Sequence, residues 1–444
     1  MMTKYASGLS RMLAMLRYAT LALLAISPLF ARETPVLPED PYFEPYQLDR
    51  APDPAGLMLE KGDRLAICGD SITEQKRYSL IMEAYLTACV PELEVTCRQF
   101  GWGGEQAGGF VQRMENDVLR FKPDVATTCY GMNDFRYVPF DPSIADEYVR
   151  NQTTMIEAFK KSGCKVLLGS PGIITTVPGW QNHAGATALN LNQSLSRFRN
   201  LGLELSEKQD VRFADVFKPM LVASWKANQT YGDAFKTAGD DGVHPGWAGH
   251  VVMAYAFLKD LGFDGNLGTI LMQGDSAKGS DGHEVEGIQD GTITVVSRRF
   301  PFSAGPGDLA DDDQVRAGLA LVPFDAELNR LTLRIEGPTA DRYSVTWGNE
   351  THEFAAKDLE NGVNLAAEFI EHPLLEPFRR VWSAAEKKQN YETRQIKDLM
   401  HGPESQVDME AIVSLSEKVH QKLVDELAAS FQPVKHQITV KALP

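Results

Sequence analysis

From residue 60 to residue 265, short apolar runs alternate with stretches whose apolar residues recur at helical spacing. Residues 64–68 are a short run, apolar after Arg64, that leads into Gly69. In residues 78–90, Leu80, Ile81, Ala84, Tyr85 and Ala88 share one helical face. Further strands are predicted at 94–100, 124–130, 165–169 and 211–216, and further helices at 110–121, 144–161, 184–209 and 247–261. Ser162-Gly163 stops the helix that precedes the fourth strand. Alternation of this kind predicts an α/β unit, a parallel sheet with helices on both faces.

Beyond residue 265 the pattern changes. Residues 265–300 are rich in Gly, Asp and Ser and become strand-like at 292–296. Short strands are expected at 319–322, 330–335 and 343–347, with 351–354 pairing with the last of these. Residues 266–372 are therefore expected to form a small β-rich module. Two long helices, 375–400 and 408–431, follow, separated by the breaker His401-Gly402-Pro403. The strand-like tail 437–441 is expected to return to the β module. Residues 373–444 thus form a helical hairpin and a closing strand.

The first 31 residues have the pattern of a secretory signal peptide. Lys4, Arg11 and Arg17 precede or flank the apolar stretch 18–26, and no acidic residue occurs before Glu33. That stretch is too short for an ordinary membrane span. Ala31 suits the end of the cleaved piece, and a start at Met12 or Met15 leaves a shorter signal. An uncleaved anchor is the alternative. Export, periplasmic or extracellular, is the expectation. Residues 32–59, rich in Pro, Asp and Glu, are an extended lead-in. No later apolar run is long enough to span a bilayer, so no stable membrane association is expected after cleavage.

Composition narrows the class. A chain of 444 residues suits two to four domains. The formal net charge of −16 argues against a nucleic-acid binder, which needs a basic footprint. The five cysteines are an odd number, leaving at least one free thiol. Cys68 and Cys129 lie in apolar runs and are expected to be buried; a Cys89–Cys97 bridge is left open. The absence of a Cys-x-x-Cys pair argues against structural zinc.

Three local motifs carry candidate chemistry, and the carboxyl ends of parallel strands are where such sheets bind ligands. Gly69-Asp70-Ser71-Ile72 follows the first strand. A serine there exposes its hydroxyl, and its amide lies at a helix N-terminus that favours negative charge. The competing reading is a capping box of Ser71 and Glu74. Gly131-Met132-Asn133-Asp134 follows the third strand, and the Asn133 amide suits an oxyanion donor; an Asx-turn is the alternative. Asp241-Gly242-Val243-His244-Pro245 precedes the last helix and pairs a proton-accepting imidazole with an orienting carboxylate. A turn, or a metal site shared with His250, are the alternatives, but no third metal ligand is evident. A glycine-rich stretch, Gly101-Trp102-Gly103-Gly104-Glu105-Gln106, is neither a dinucleotide fingerprint nor a phosphate-binding loop.

In this order, these blocks resemble the SGNH (GDSL) hydrolase superfamily of serine esterases over roughly residues 60–262. The resemblance implies a flavodoxin-like three-layer α/β/α fold with five parallel strands and a catalytic unit over 60–265. It implies Ser71 as nucleophile, His244 as general base and Asp241 as its partner. The oxyanion hole would comprise the Ser71 and Gly104 amides and the Asn133 side chain, with Gly103 as the alternative to Gly104. Gln99 departs from the family by standing where many members carry Asn. The downstream half also looks like the extension of large secreted members from polysaccharide-degrading bacteria.

The implied activity is carboxylic-ester hydrolysis through an acyl-enzyme, with no cofactor or metal. The expected substrate is an acylated small molecule or polysaccharide, with short acetyl esters of carbohydrate favoured. Lipid or other ester hydrolysis, acyl transfer with the same residues, and glycan binding without turnover are the alternatives. Trp102, Tyr130, Phe135, Tyr137, Trp180 and Trp247 lie near the motifs and are candidates for stacking on sugar rings, with core packing as the competing role.

Overall fold

The computed structural model describes residues 35–181, 183–280 and 282–444. The expected signal peptide lies outside the described residues. Five strands, β1 (Arg64–Gly69), β2 (Thr96–Gln99), β3 (Val125–Cys129), β4 (Lys165–Gly169) and β5 (Arg212–Ala214), form a parallel sheet in the order β2-β1-β3-β4-β5. All of β3, and all of β1 except Arg64, is buried, as in a sheet covered on both faces. The covering helices are α1 (Ser71–Glu74), α2 (Arg77–Ala88), α3 (Ala107–Asp117), α4 (Pro142–Lys161), α5 (Ala188–Gln209), α6 (Phe217–Tyr231) and α7 (Trp247–Leu261).

The sheet order reverses at β1, which has β2 on one side and β3 on the other. Gly69 is in register with Cys129, and Ile67 with Gln99. The loops leaving β1, β2 and β3 therefore emerge side by side at the switch point, where such sheets bind ligands. All five cysteines are buried free thiols, so Cys89 and Cys97 are not bridged.

The β-rich part contains two sheets. Strands β6 (Asn266–Gln273), β7 (Ser276–Gly279), β8 (His283–Gln289) and β9 (Thr292–Ser297) follow α7. Next come α8 (Val315–Leu321), α9 (Phe324–Glu327), β10 (Arg330–Glu336), β11 (Arg342–Trp347), β12 (Glu350–Ala355), α10 (Ala356–Asn361), β13 (Val363–Asn364) and α11 (Leu365–Glu368). The chain ends with α12 (Leu375–Arg394), α13 (Met409–Ser430) and β14 (Val434–Ala442). One sheet has the order β13-β10-β6-β7 and the other β12-β11-β14-β9-β8. The last strand thus inserts between β11 and β9, and the α12–α13 hairpin is anchored at both ends. β12 pairs with β11, as its pattern suggested.

One expected strand is a helix. The apolar run 319–322 belongs largely to α8, not to a strand. Gly318 explains the choice: a Cβ there would come within 2.6 Å of the Val251 Cβ and 2.7 Å of the Ala248 carbonyl oxygen. Helical geometry lets α8 lie directly against α7 at this glycine.

The hairpin covers the open edge of β2. Lys388 Nζ donates to the Cys97 carbonyl at 2.9 Å, and Glu392 accepts from the Gln99 amide at 3.1 Å. Edge backbone groups that would otherwise template another strand are thereby satisfied. Lys388 also lies 2.9 Å from Glu83 and 2.5 Å from Glu392. His420 of α13 approaches the same Glu392 at 2.8 Å.

Candidate active site

At the end of β1, Asp70 caps α1 by accepting from the Ile72 amide at 3.0 Å. The expected alternative, a capping box of Ser71 and Glu74, is therefore replaced by an Asp70 cap. This leaves the Ser71 hydroxyl free for another partner, while its amide stands at the first position of the helix. Burial pushes the Asp70 carboxyl up to about 7, with the nearby Asp134 and Glu105 adding to the effect against the Ile72 amide.

The Ser71 Oγ lies 2.7 Å from His244 Nε2. On the other side of the ring, Nδ1 lies 2.7 Å from Asp241 Oδ2. Asp241 Oδ1 accepts from the amides of both Val243 and His244 at 2.9 Å. Burial works against the Asp241 anion, but the His244 and Val243 amides and the His244 ring outweigh it, holding the carboxyl below its usual range. An ionised Asp241 only accepts, so Nδ1 carries the proton and Nε2 accepts from the Ser71 hydroxyl. The intervening Gly242 has φ +80°, and a Cβ there would meet the Thr176 carbonyl oxygen at 2.4 Å. Only glycine fits this turn.

His250 stands apart from this chemistry. It is fully buried, accepts from the Tyr78 amide through Nδ1 at 3.3 Å, and contacts Gln75 Oε1 through Nε2 at 2.7 Å. Both nitrogens are committed within the protein, which rules out its pairing with His244 on a metal as arranged.

The second and third loops are laced together. Asn133 Nδ2 donates to the Glu105 carbonyl at 3.1 Å, and Gln106 Nε2 returns a bond to the Asn133 carbonyl at 3.0 Å. Asp134 accepts from the amides of Ala107 and Gly131 at 2.9 and 3.0 Å. Gly104 is exposed, has φ +71°, and has no atom within 4 Å of a Cβ position. By contrast, a Cβ on Gly103 would lie 2.7 Å from Glu74 Oε2. Gln99 turns the chain into this loop by accepting from the Gly101 amide at 2.8 Å.

The sequence motifs gave no role to the ion pair beneath this loop. Arg113 grips Glu105 through Nε and Nη2 at 2.6 and 2.7 Å, and the Tyr130 hydroxyl donates to Glu105 at 2.8 Å. This fixes the residue directly after Gly104. The only sequence signal was an acidic residue beside a glycine pair, with an arginine eight positions on.

The six aromatic candidates divide. Tyr130 and Phe135 are fully buried core residues. Trp247 packs on Trp382 at 5.4 Å and Trp102 on His401 at 5.0 Å. Trp180 is 49 % exposed, with its ring centre 6.0 Å from that of His244. Tyr137 supports it edge-on at 6.0 Å. Of the six, Trp180 lies beside His244 and Tyr137 beside Asn133.

Residues 67–252 match the GDSL-like lipase/acylhydrolase family. They form a GDSL-like carboxylic ester hydrolase domain. Over 232 residues the chain is 24 % identical to an acetylxylan esterase from Geobacillus stearothermophilus, covering 47 % of this chain and 98 % of that protein. A solved structure of a gut microbial diltiazem-metabolizing enzyme matches with a TM-score of 0.71 at 20 % identity, over 88 % of this chain and all of the other. That likeness is one of fold, and it extends through the α/β domain into the sheets and helices beyond.

Proposed function

We propose that this protein is an exported serine esterase that removes short acyl groups, chiefly acetyl, from carbohydrate. The reading rests above all on the unbroken contact from Ser71 Oγ through the His244 ring to Asp241, at 2.7 Å on each side. Ser71 attacks the ester carbonyl as His244 accepts its proton, and Asp241 stabilises the imidazolium. The oxyanion is held by the amides of Ser71 and Gly104 and by Asn133. One Asn133 N–H is used on Glu105, leaving the second for the substrate. His244 then protonates the departing alcohol, and water releases the acyl group.

The carbohydrate assignment draws on the acetylxylan esterase relative and on Trp180, an exposed indole beside His244. An exposed aromatic face can stack on a pyranose ring while the ester reaches Ser71. Export draws on the N-terminal sequence pattern.

The test is acetate release from a panel of acetylated polysaccharides and from aryl esters of graded acyl length, with Ser71→Ala alongside. Acetate from a glycan, lost in Ser71→Ala, supports the reading. Turnover of aryl esters alone keeps the esterase and removes the carbohydrate assignment. A sugar acceptor that outcompetes water indicates acyl transfer, and glycan binding without turnover indicates a recognition protein.

A further inference from the structure

The turn that carries Gly103 and Gly104 is braced from the far half of the chain. After α12 the helix widens into a π-helical turn, Gln395–Met400, a geometry that recurs at functional sites. Its Lys397 Nζ lies 2.5 Å from Glu74 Oε1 and 5.0 Å from the centre of the Trp102 ring. Glu74 is the last residue of α1, three after Ser71. Its other oxygen lies against Gly103, and the Glu74 backbone amide lies against Gly101, where a Cβ would come within 2.2 Å.

Trp102 is held on further sides. The His401 ring meets it at 5.0 Å and 67°, and the Arg113 guanidinium lies 5.1 Å from it. His401 Nε2 is in turn 2.8 Å from the buried Asp117, which Arg113 also approaches, at 3.4 Å. The Trp102 amide donates to the Gly69 carbonyl at 3.0 Å. One lysine thus touches both the helix that begins at Ser71 and the residue directly before Gly103-Gly104.

We propose that Lys397 is a positioning residue of the esterase. Through Glu74 and Trp102 it sets the Gly103–Gly104 turn against the Ser71 amide, so that the C-terminal hairpin completes the oxyanion hole. The inference rests on the assignment of Ser71 and the oxyanion donors made above. Donors act on a developing oxyanion only within a few tenths of an ångström of their best distance. Both side chains of the Lys397–Glu74 pair are partly exposed, 30 % and 24 %, so the pair is expected to add little to stability. Its placement matters more than its strength. The hairpin's anchorage at both ends lets it act as a stiff brace. The acetylxylan esterase relative aligns over 98 % of its own length yet only 47 % of this chain, so more than half of this chain lies outside that match.

The experiment measures kcat and KM of the full chain on an aryl acetate, with thermal midpoints, for the wild type, Lys397→Met, Lys397→Arg, Glu74→Gln and Ser71→Ala. Lys387→Met serves as the control, because it removes an exposed hairpin ion pair to Glu426 that touches neither loop. Lys397→Met is expected to lower kcat about tenfold, a fraction of the loss from removing a donor outright, with KM within about twofold. Its midpoint should match the wild type. Lys397→Arg should recover most of the rate, Glu74→Gln should fall in the same direction, and Lys387→Met should match the wild type. A wild-type kcat in Lys397→Met and Glu74→Gln, or equal losses in Lys397→Met and Lys397→Arg, overturns the positioning role. Turnover that survives in Ser71→Ala overturns the underlying site assignment instead.

Discussion

Asp241 holds His244 at two points: one carboxylate oxygen accepts from its backbone amide at 2.9 Å, and the other lies 2.7 Å from its ring Nδ1. The short Asp-x-x-His spacing makes both contacts possible within one turn. Asp241→Asn keeps the backbone bond through its amide oxygen but presents an N–H to Nδ1, favouring the wrong tautomer. Steady-state kinetics should show kcat lower by about 10³–10⁴-fold, with a thermal midpoint close to wild type. A loss below tenfold would argue that His244 is oriented by something else.

Trp180 offers an exposed indole at the rim beside His244. Trp180 is half-exposed at the rim, so the fold should tolerate Trp180→Ala. On an acetylated oligosaccharide KM should rise about tenfold, equivalent to about 1.4 kcal/mol of lost stacking, while kcat/KM on an aryl acetate changes less than threefold. Equal effects on both substrates would place Trp180 in general site structure rather than in sugar recognition.

Lys388 ties the hairpin to the α/β domain through a buried ion pair. Its ammonium is buried between Glu83, Glu392 and the Cys97 carbonyl. Burial pushes the Glu83 carboxyl up to about 7, against the pull of Lys388. Lys388→Met leaves Glu83 and Glu392 buried without their shared ammonium partner and should cost about 3–5 kcal/mol in urea unfolding. It should also free the β2 edge. An unfolding free energy within about 1 kcal/mol of wild type would show that the edge is held by apolar packing alone.

Acid should act on the β sheets through three buried histidines. The Ser297 hydroxyl lies between His283 Nδ1 and His436 Nε2, at 2.8 Å from each, and His436 Nδ1 accepts from Trp347 Nε1 at 3.1 Å. His372 stacks on the Trp347 ring at 4.4 Å. Burial holds His372 down to about 4 and His436 down to about 3, and lowers His283 as well. In the unfolded chain they take up protons near about pH 6.5. The unfolded state therefore binds more protons below that pH, and stability falls as pH drops from about 6.5 toward 4. Melting curves of the wild type and His436→Gln across this range should show a shallower pH slope in the variant. Identical slopes would assign the acid sensitivity to other groups.

The site was legible where chemistry and turn geometry share a few consecutive residues. Ser71, Asn133, Asp241 and His244 each lie in such a block, and the alternation around them places the first two at strand ends and the last two just before α7. The parallel sheet was legible for the same reason, although β2 and β5 are shorter than their apolar runs and α6 went unremarked. Strands β6 to β8 were hidden because their partners are distant or their composition is turn-like: β6 pairs with β10, some sixty residues on. The run at 319–322 fits either period, and only the close approach of Gly318 to α7 decides for a helix. Lys397 and His401 could not be read as site neighbours at all, because their contacts with Glu74 and Trp102 span about three hundred positions.

The most direct test is to label the full chain with a serine-reactive aryl phosphonate and map the adduct by peptide mass spectrometry. One adduct per chain on Ser71, absent in Ser71→Ala and greatly slowed in Asp241→Asn, is the expected result. Stoichiometric labelling of another serine, or labelling of Ser71 that is indifferent to Asp241, would contradict the assignment of Ser71, His244 and Asp241 as one acyl-transfer unit.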